Sequence, residues 1–181
     1  GLPFRLAIIG AGPVGLALAL HAVRSLHGAQ VTLFDARSAD RDVSADPRTL
    51  ALSLGSIQLL ERLQAWPREE AQAIAAVHVS QAPPTWGAGP AVELTAASEG
   101  VEQLGAVLPY GRLVSALQRA WEAEVASPGR SPGRAFSRFG TPVQGLRGVE
   151  NRDVERGVQA MRGVPDAGSA RAVGAERALG A

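Results

Sequence analysis

The sequence has 181 residues, of which 46% are apolar, so it is long enough to bury the core of one ordinary domain. It contains no cysteine, which excludes disulfides, cysteine-ligated zinc, iron–sulfur clusters and thiol nucleophiles, and is consistent with a cytosolic protein. The formal net charge of +1 averages two unlike segments. Residues 1–126 carry nine Arg and twelve acidic residues, a net charge of −3, whereas residues 127–181 carry nine Arg and five acidic residues, a net charge of +4.

The first 35 residues have the pattern of one βαβ unit. Leu6–Ile9 is a short apolar run followed by glycine, which is typical of a strand buried on both faces of a parallel sheet. Val14–Leu26 is rich in Ala and Leu and predicts a helix, and Val31–Phe34 predicts the second strand. Glycines and a proline interrupt the apolar stretch Leu6–Ala22, so we interpret it as strand and helix and not as a signal peptide or membrane anchor. The predicted fold class is α/β, a three-layer Rossmann-like domain with a parallel sheet.

Further helices and strands are predicted after a polar connection. Ala36–Arg48 is polar and charged, which predicts a surface loop. The elements predicted after it are a helix over Leu54–Ala65, strands over Ile74–Gln81, Ala91–Thr95 and Val107–Pro109, and a helix over Gly111–Val125.

The composition changes at about residue 126, which predicts a boundary between a folded part, 1–126, and a tail, 127–181. The tail contains ten Gly and nine Arg and shows no sustained apolar period, apart from a predicted strand over Thr141–Val149. Too few apolar residues are present to offset the entropy lost on ordering such a segment, so we expect the tail to be disordered. Our hypothesis is that the GC-rich coding sequence of this chain is read out of frame after about residue 151.

A GxGxxG motif lies between the first predicted strand and the helix. Its residues are Gly10, Ala11, Gly12, Pro13, Val14 and Gly15. The first glycine permits a tight turn, the second lets the backbone approach a pyrophosphate, and the third lets the helix pack closely against the strand. The N–H groups at the start of the helix are then available to the phosphates. The motif in this context predicts a dinucleotide-binding site.

An acidic residue, Asp35, ends the second predicted strand, twenty residues after Gly15. A carboxylate at this place accepts hydrogen bonds from ribose hydroxyls. It disfavours a 2′-phosphate, so NADP is not expected at this site. On these grounds FAD and NAD both remain open.

Three segments resemble the FAD-dependent hydroxylases of ubiquinone biosynthesis, of the 2-polyprenyl-6-methoxyphenol hydroxylase type, a branch of the class A flavoprotein monooxygenases. Gly10–Gly15 is similar to the family's GAGPxG. Residues 45–56 (ADPRTLALSLGS), followed by 59–63 (LLERL), are similar to its second characteristic segment, and residues 104–111 (LGAVLPYG) resemble the lead into its next helix. The resemblance is nearly continuous from about Arg5 to Val125.

The resemblance implies an FAD-binding domain and hydroxylation of an aromatic polyprenyl phenol, with O₂ as oxidant and NADH or NADPH as reductant. The glycine motif would lie at the FAD pyrophosphate, Asp35 at the adenosine ribose, and Arg48 beside the pyrophosphate and ribityl chain, where a guanidinium can hold phosphate oxygens in bidentate fashion. The implied cofactor-binding residues are Gly10, Ala11, Gly12, Pro13, Gly15, Asp35 and Arg48. The implied partners are a small aromatic substrate and other proteins of ubiquinone biosynthesis. The implied location is the cytoplasm, with peripheral contact at the surface of the inner membrane.

Members of that family are much longer than 181 residues, and their second flavin-binding segment, of the Gly-Asp-Ala-Ala-His type, has no counterpart here. We therefore expect a truncated FAD-binding domain and assign no residue a catalytic role. Two alternatives stay open: a catalytically incomplete FAD-binding fragment, and a small NAD-dependent oxidoreductase.

No metal or nucleic-acid site is predicted. His21, His27 and His78 are scattered and lack the spacing of metal ligands. The Arg-rich tail has few aromatic residues on which bases could stack, so nucleic-acid binding is not expected.

Overall fold

The computed structural model describes residues 4–81, 89 and 91–148. The chain divides into two compact units, Gly1–Gln144 and Gly145–Ala181, and the helices and strands described here lie in the first. The expected out-of-frame segment after residue 151 lies outside the described residues. The elements are, in chain order, β1 (Arg5–Ile9), α1 (Pro13–Ser25), β2 (Gln30–Asp35), β3 (Thr49–Ser53), α2 (Leu54–Arg62), a 3₁₀ turn (Arg68–Glu70), β4 (Gln72–Ile74), β5 (Ala76–Ser80), β6 (Ala91–Thr95), β7 (Gly105–Pro109), α3 (Tyr110–Ala126) and β8 (Arg134–Phe139).

A parallel sheet of three strands has β2 at its centre, in the order β1-β2-β8. Burial alternates along β2, so that Val31, Leu33 and Asp35 are buried while the residues between them are partly exposed. The carboxyl end of β2 therefore places the Asp35 side chain inside the molecule. The chain has a mixed α/β fold with a three-stranded parallel sheet.

The core lies where α1 and α3 pack together beside this sheet. Pro13 occupies the first turn of α1, where its missing N–H removes no helical hydrogen bond, and the buried positions follow the 3.6-residue period of a helix. Trp121 of α3 is completely buried, and its Nε1–H donates to Ser137 Oγ of β8 at 2.9 Å. The fully buried larger side chains of the core are Leu16, Leu20, Val23, Val31, Leu33, Leu108, Leu113, Val114, Leu117 and Trp121.

A second sheet is antiparallel and has the order β3-β7-β4. A separate two-stranded antiparallel ribbon joins β5 to β6, with Val77 opposite Leu94 and Val79 opposite Val92. These four side chains share one face of the ribbon and are 39–67% exposed.

Some sequence predictions are wrong in position or environment. The strand predicted over Thr141–Val149 is not formed in the described residues 141–148; the strand is β8, which pairs in parallel with β2 over six residue pairs. The first strand was predicted to be buried on both faces, but β1 has a partner only in β2 among the described strands, and Ile9 is 52% exposed. The run predicted as one strand over Ile74–Gln81 is divided between β4 and β5, which belong to different sheets.

Within the described part of the chain, no helix combines the length and the apolar character needed to cross a lipid bilayer.

Candidate functional site

Two glycines of the motif are required by the chain itself. Gly10 has φ +100°, a left-handed conformation that favours glycine, and its N–H donates to Phe34 O of β2 at 2.8 Å. A Cβ at Gly15 would overlap the carbonyl oxygen of Gly10. The turn from β1 into α1 therefore has this shape only with glycine at both ends of the motif.

Gly12, by contrast, has no such requirement. Its φ of −80° and ψ of −176° are accessible to any residue. A Cβ at Gly12 would meet Tyr110 Oη at 3.6 Å, an ordinary van der Waals distance, and apart from its chain neighbours no other described residue comes within 4 Å of it. Gly12 is also the N-cap of α1, and no described side chain caps that helix end. The first N–H groups of α1 therefore lack a side-chain partner, beside a residue that has no Cβ.

Asp35 is 9% exposed, and four N–H groups donate to its carboxylate. Oδ2 accepts from Ala11 N–H at 2.5 Å and from Arg37 Nη2 at 3.2 Å, and Oδ1 accepts from Arg37 N–H at 2.7 Å and from Arg37 Nε at 3.0 Å. Burial acts to raise the pKa of Asp35, but the hydrogen bonds from Arg37 and Ala11 and the charge of Arg37 together hold the pKa below its ordinary value. Asp35 is therefore a carboxylate at neutral pH.

Arg37 is a member of this site that the sequence did not single out. Besides its bonds to Asp35, its Nη2 donates to the carbonyl oxygen of Ala11 at 2.7 Å. Both polar groups of the Ala11 backbone are thus used, the N–H by Asp35 and the carbonyl by Arg37. The only sequence feature that could have indicated Arg37 as a member of this site is its position two residues after the end of β2.

The long loop after β2 is fixed against the start of α3, and this positions Arg48. Tyr110 N–H donates to Arg48 O at 2.6 Å. A Cβ at Gly111 would overlap the carbonyl oxygens of Val43 and Ser44, so glycine at this position lets the loop lie directly on the helix. The loop thereby lies on the start of α3, where Tyr110 Oη is 3.6 Å from the Cβ position of Gly12.

The Arg48 guanidinium is held by an acid and by an aromatic ring. Its Nε and Nη2 donate to Asp46, the shortest bond being Nη2 to Oδ2 at 2.6 Å, and its Cζ lies 4.2 Å from the centroid of the Tyr110 ring. Hydrogen bonding to Asp46, together with the Asp46 charge, raises the pKa of Arg48 above its already high ordinary value. A guanidinium has five N–H donors, and the bonds to Asp46 use that of Nε and one of Nη2, so others remain for a ligand.

A cleft of about 610 Å³ brings together three of the predicted residues, Gly12, Asp35 and Arg48. This volume is in the range of small-molecule sites. Ala11 is buried and does not line the cleft. Three other residues of the motif, Gly10, Pro13 and Gly15, line a separate surface depression beside β1, to which Gly12 also contributes. The remaining residues that line the cleft, none of them predicted as site residues, are Arg37, Arg41, Asp42, Val43, Asp46, Pro47 and Tyr110.

No protein-family model matches the sequence, and no curated protein matches it. Among solved structures, the Diels-Alderase PyrE3 of pyrroindomycin biosynthesis is 18% identical, with a TM-score of 0.55 over 80% of this chain and 27% of its own. FqzB is 18% identical, with a TM-score of 0.52 over 81% of this chain and 30% of its own. 2-Methyl-3-hydroxypyridine-5-carboxylic acid oxygenase is 20% identical, with a TM-score of 0.47 over 77% of this chain and 32% of its own.

The similarity to PyrE3 and FqzB shows a shared fold and nothing more specific, because the identities are 18%. The chain spans less than a third of the length of each of these proteins.

Proposed function

We propose that the cleft binds the ADP half of FAD, and that the chain is part of an FAD-dependent monooxygenase that hydroxylates an aromatic intermediate of ubiquinone biosynthesis. The first part of the proposal rests on the geometry of the cleft. The second part, with its polyprenyl phenol substrate and its NADH or NADPH reductant, rests on the resemblance of residues 45–56 and 104–111 to that hydroxylase family.

The observation that carries the proposal is the shape of the chain at Gly12. Gly10 and Gly15 are glycines because the turn needs them, but nothing in the described chain requires a glycine at position 12. Gly12 lines the cleft together with Asp35 and Arg48, which come from distant parts of the sequence. A missing Cβ at the wall of a cleft is what a closely approaching pyrophosphate requires.

The polar groups around Gly12 fit a dinucleotide. The uncapped N–H groups of α1 and its helix dipole favour the pyrophosphate, and Arg48, which lines the same cleft, has N–H donors that its bonds to Asp46 leave for phosphate oxygens. Asp35 lies at the end of β2, where a carboxylate binds ribose hydroxyls. The cleft therefore supplies donors for the phosphates and an acceptor for the ribose.

The chemistry in such an enzyme belongs to the cofactor, since FAD activates O₂ for transfer of one oxygen atom to the substrate ring. The described residues bind and orient the nucleotide end of the cofactor, and none of them is assigned to the reaction itself. Contact with the inner membrane surface and with other proteins of ubiquinone biosynthesis belongs to the same proposal.

The proposal predicts that Gly12→Ala abolishes nucleotide binding without unfolding the chain. The new Cβ faces the cleft and has no clash with the described chain, so we expect a loss of stability of no more than about 1 kcal/mol, from the poorer N-cap. Binding of ADP and of FAD is measured by isothermal titration, and retained flavin by absorbance near 450 nm after desalting.

Gly55→Ala is the matched control, because Gly55 lies in α2 with open space around its Cβ position and does not line the cleft. The control should bind like the unchanged chain. Equal binding by Gly12→Ala would contradict the proposed site. Binding of NAD with no binding of FAD would instead support the small NAD-dependent oxidoreductase.

A further inference from the structure

The Asp35 carboxylate has its full number of hydrogen bonds before any ligand arrives, and the inference drawn from this rests on the proposed nucleotide site. A carboxylate offers about four lone-pair positions, two on each oxygen. In the structure each oxygen accepts from two N–H groups. A ribose hydroxyl can therefore donate to Asp35 only if one of the present donors leaves.

The four donors differ in how freely they can leave. The N–H groups of Ala11 and Arg37 belong to the backbone, in the glycine turn and directly after β2, and are fixed by the fold. The other two donors, Nε and Nη2, belong to the Arg37 side chain, which is 25% exposed and lines the cleft. Only the guanidinium can turn away without changing the backbone.

The guanidinium presents two N–H groups as a fork, one to each carboxylate oxygen, with Nε on Oδ1 at 3.0 Å and Nη2 on Oδ2 at 3.2 Å. The 2′- and 3′-hydroxyls of a ribose are also two adjacent donors. A ribose diol can thus replace the guanidinium one donor for one, on the same two oxygens, while the two backbone donors stay in place.

We propose that Arg37 is an internal competitor for the ribose position at Asp35, and so determines the affinity and the ribose selectivity of the nucleotide site. A ligand must displace both side-chain contacts to Asp35 and the contact from Nη2 to Ala11 O. Only a ligand with both ribose hydroxyls restores the two bonds that Asp35 loses. A ligand with one hydroxyl leaves a buried carboxylate short of one donor, which is costly.

The first test measures the dissociation constant of ADP for the unchanged 181-residue chain, for Arg37→Gln and for Arg41→Gln. Arg41 also lines the cleft, but among the described residues no carboxylate oxygen lies within 4 Å of its guanidinium nitrogens. Arg41→Gln therefore removes one positive charge from the cleft without breaking an ion pair, and serves as the matched control. Arg37→Gln removes the fork and should bind ADP about tenfold more tightly than the unchanged chain. Arg41→Gln should not bind more tightly. Equal or weaker binding by Arg37→Gln, in a chain that binds ADP when unchanged, overturns the inference and leaves the proposed function intact.

The second test needs no variant, and so does not depend on whether Arg37→Gln folds. The unchanged chain should bind 2′-deoxy-ADP about tenfold more weakly than ADP, because only one of the two side-chain contacts is replaced. Equal affinities for the two nucleotides overturn the inference. No ADP binding by any of the three chains overturns the proposed function, and the inference with it; binding by Arg37→Gln alone supports both.

Discussion

At the scale of single residues, an ion pair joins α1 to α3 through the core. Arg24 Nε donates to Glu124 Oε1 at 2.7 Å, and Arg24 Nη1 donates to Leu63 O at 2.7 Å. Glu124 is only 4% exposed, and its other oxygen accepts from the Ser131 hydroxyl at 2.7 Å. Both oxygens of this carboxylate are thus satisfied, one of them by a charged partner.

Arg24→Met should therefore lower the free energy of unfolding by about 3 kcal/mol, because it leaves Glu124 buried without its cation. Urea denaturation measures the loss. Arg119→Met, which removes an exposed arginine of α3, should change the free energy by less than about 0.5 kcal/mol. The double variant Arg24→Met, Glu124→Met should recover most of the loss, since an apolar pair of similar size replaces the ion pair. A double variant as unstable as Arg24→Met would show that the charge is not the cause.

The sequence was sufficient to predict a carboxylate, Asp35, at the end of β2, but not to describe its hydrogen bonds. Its position after an apolar run and twenty residues beyond Gly15 identified a carboxylate at the end of a strand. The four acceptor positions of the Asp35 carboxylate are filled partly by the Arg37 side chain and by the Ala11 N–H. These donors reach Asp35 only in the folded chain, so the sequence does not show them. The contact between the Tyr110 ring and the Arg48 guanidinium was likewise not predicted, because the two residues are 62 positions apart in the sequence and meet only through tertiary packing.

At the scale of secondary-structure elements, the turn between β1 and α1 depends on one close approach. Gly15→Ala should lower the free energy of unfolding by about 3 kcal/mol or more, because its Cβ would overlap the Gly10 carbonyl oxygen and the backbone must move. Gly55→Ala should instead raise it by about 0.5–1 kcal/mol, because Gly55 lies in α2 and its Cβ position is open. Thermal denaturation followed by circular dichroism compares the two, and a Gly15→Ala chain as stable as the unchanged one would contradict the turn described here.

Elements with a local signal were predicted from the sequence, and elements that depend on distant partners were not. The apolar period of α1 and the apolar runs of β1 and β2 predicted the ends of these elements to within one residue. The sequence of β8, RAFSRF, has two arginines and a serine in six residues and no strand pattern of its own. It forms a strand because β2 offers a parallel edge and because Ser137 accepts the Trp121 N–H. This is why the predicted strand was placed seven residues too late, at Thr141, and why β3, which pairs with β7, was not predicted.

At the scale of the whole molecule, two buried carboxylates make stability depend on pH. The pKa of Asp35 and that of Glu124 are both lowered: burial raises each, but hydrogen bonds and charge from Arg37 at Asp35, and from Ser131 and Arg24 at Glu124, outweigh it. The unfolded chain therefore binds more protons than the folded chain in acid. The stability that these groups contribute is fully present above their ordinary pKa values of 3.8 and 4.5, and is lost as the pH falls through the lower folded values.

The urea midpoint should accordingly stay level near neutral pH and fall steadily below about pH 4.5. The Arg24→Met, Glu124→Met chain lacks one of the two groups, so its midpoint should fall less steeply over the same range. Denaturation curves at pH 7, 5, 4 and 3, each at the same salt concentration, make the comparison. Parallel curves for the two chains would assign the acid sensitivity to groups other than Glu124.

The contrast among the three glycines of the motif has a consequence for how this sequence can drift. A substitution at position 10 or 15 damages the fold, so the cell's quality control would remove the product. Gly12→Ala adds a Cβ that meets the described chain only at an ordinary contact distance, so the chain is expected to fold, while binding of any ligand that approaches this backbone closely is expected to be lost. In a lineage that no longer needs the proposed nucleotide site, position 12 is therefore expected to change before positions 10 and 15, and the inactive descendant would still be present as folded protein.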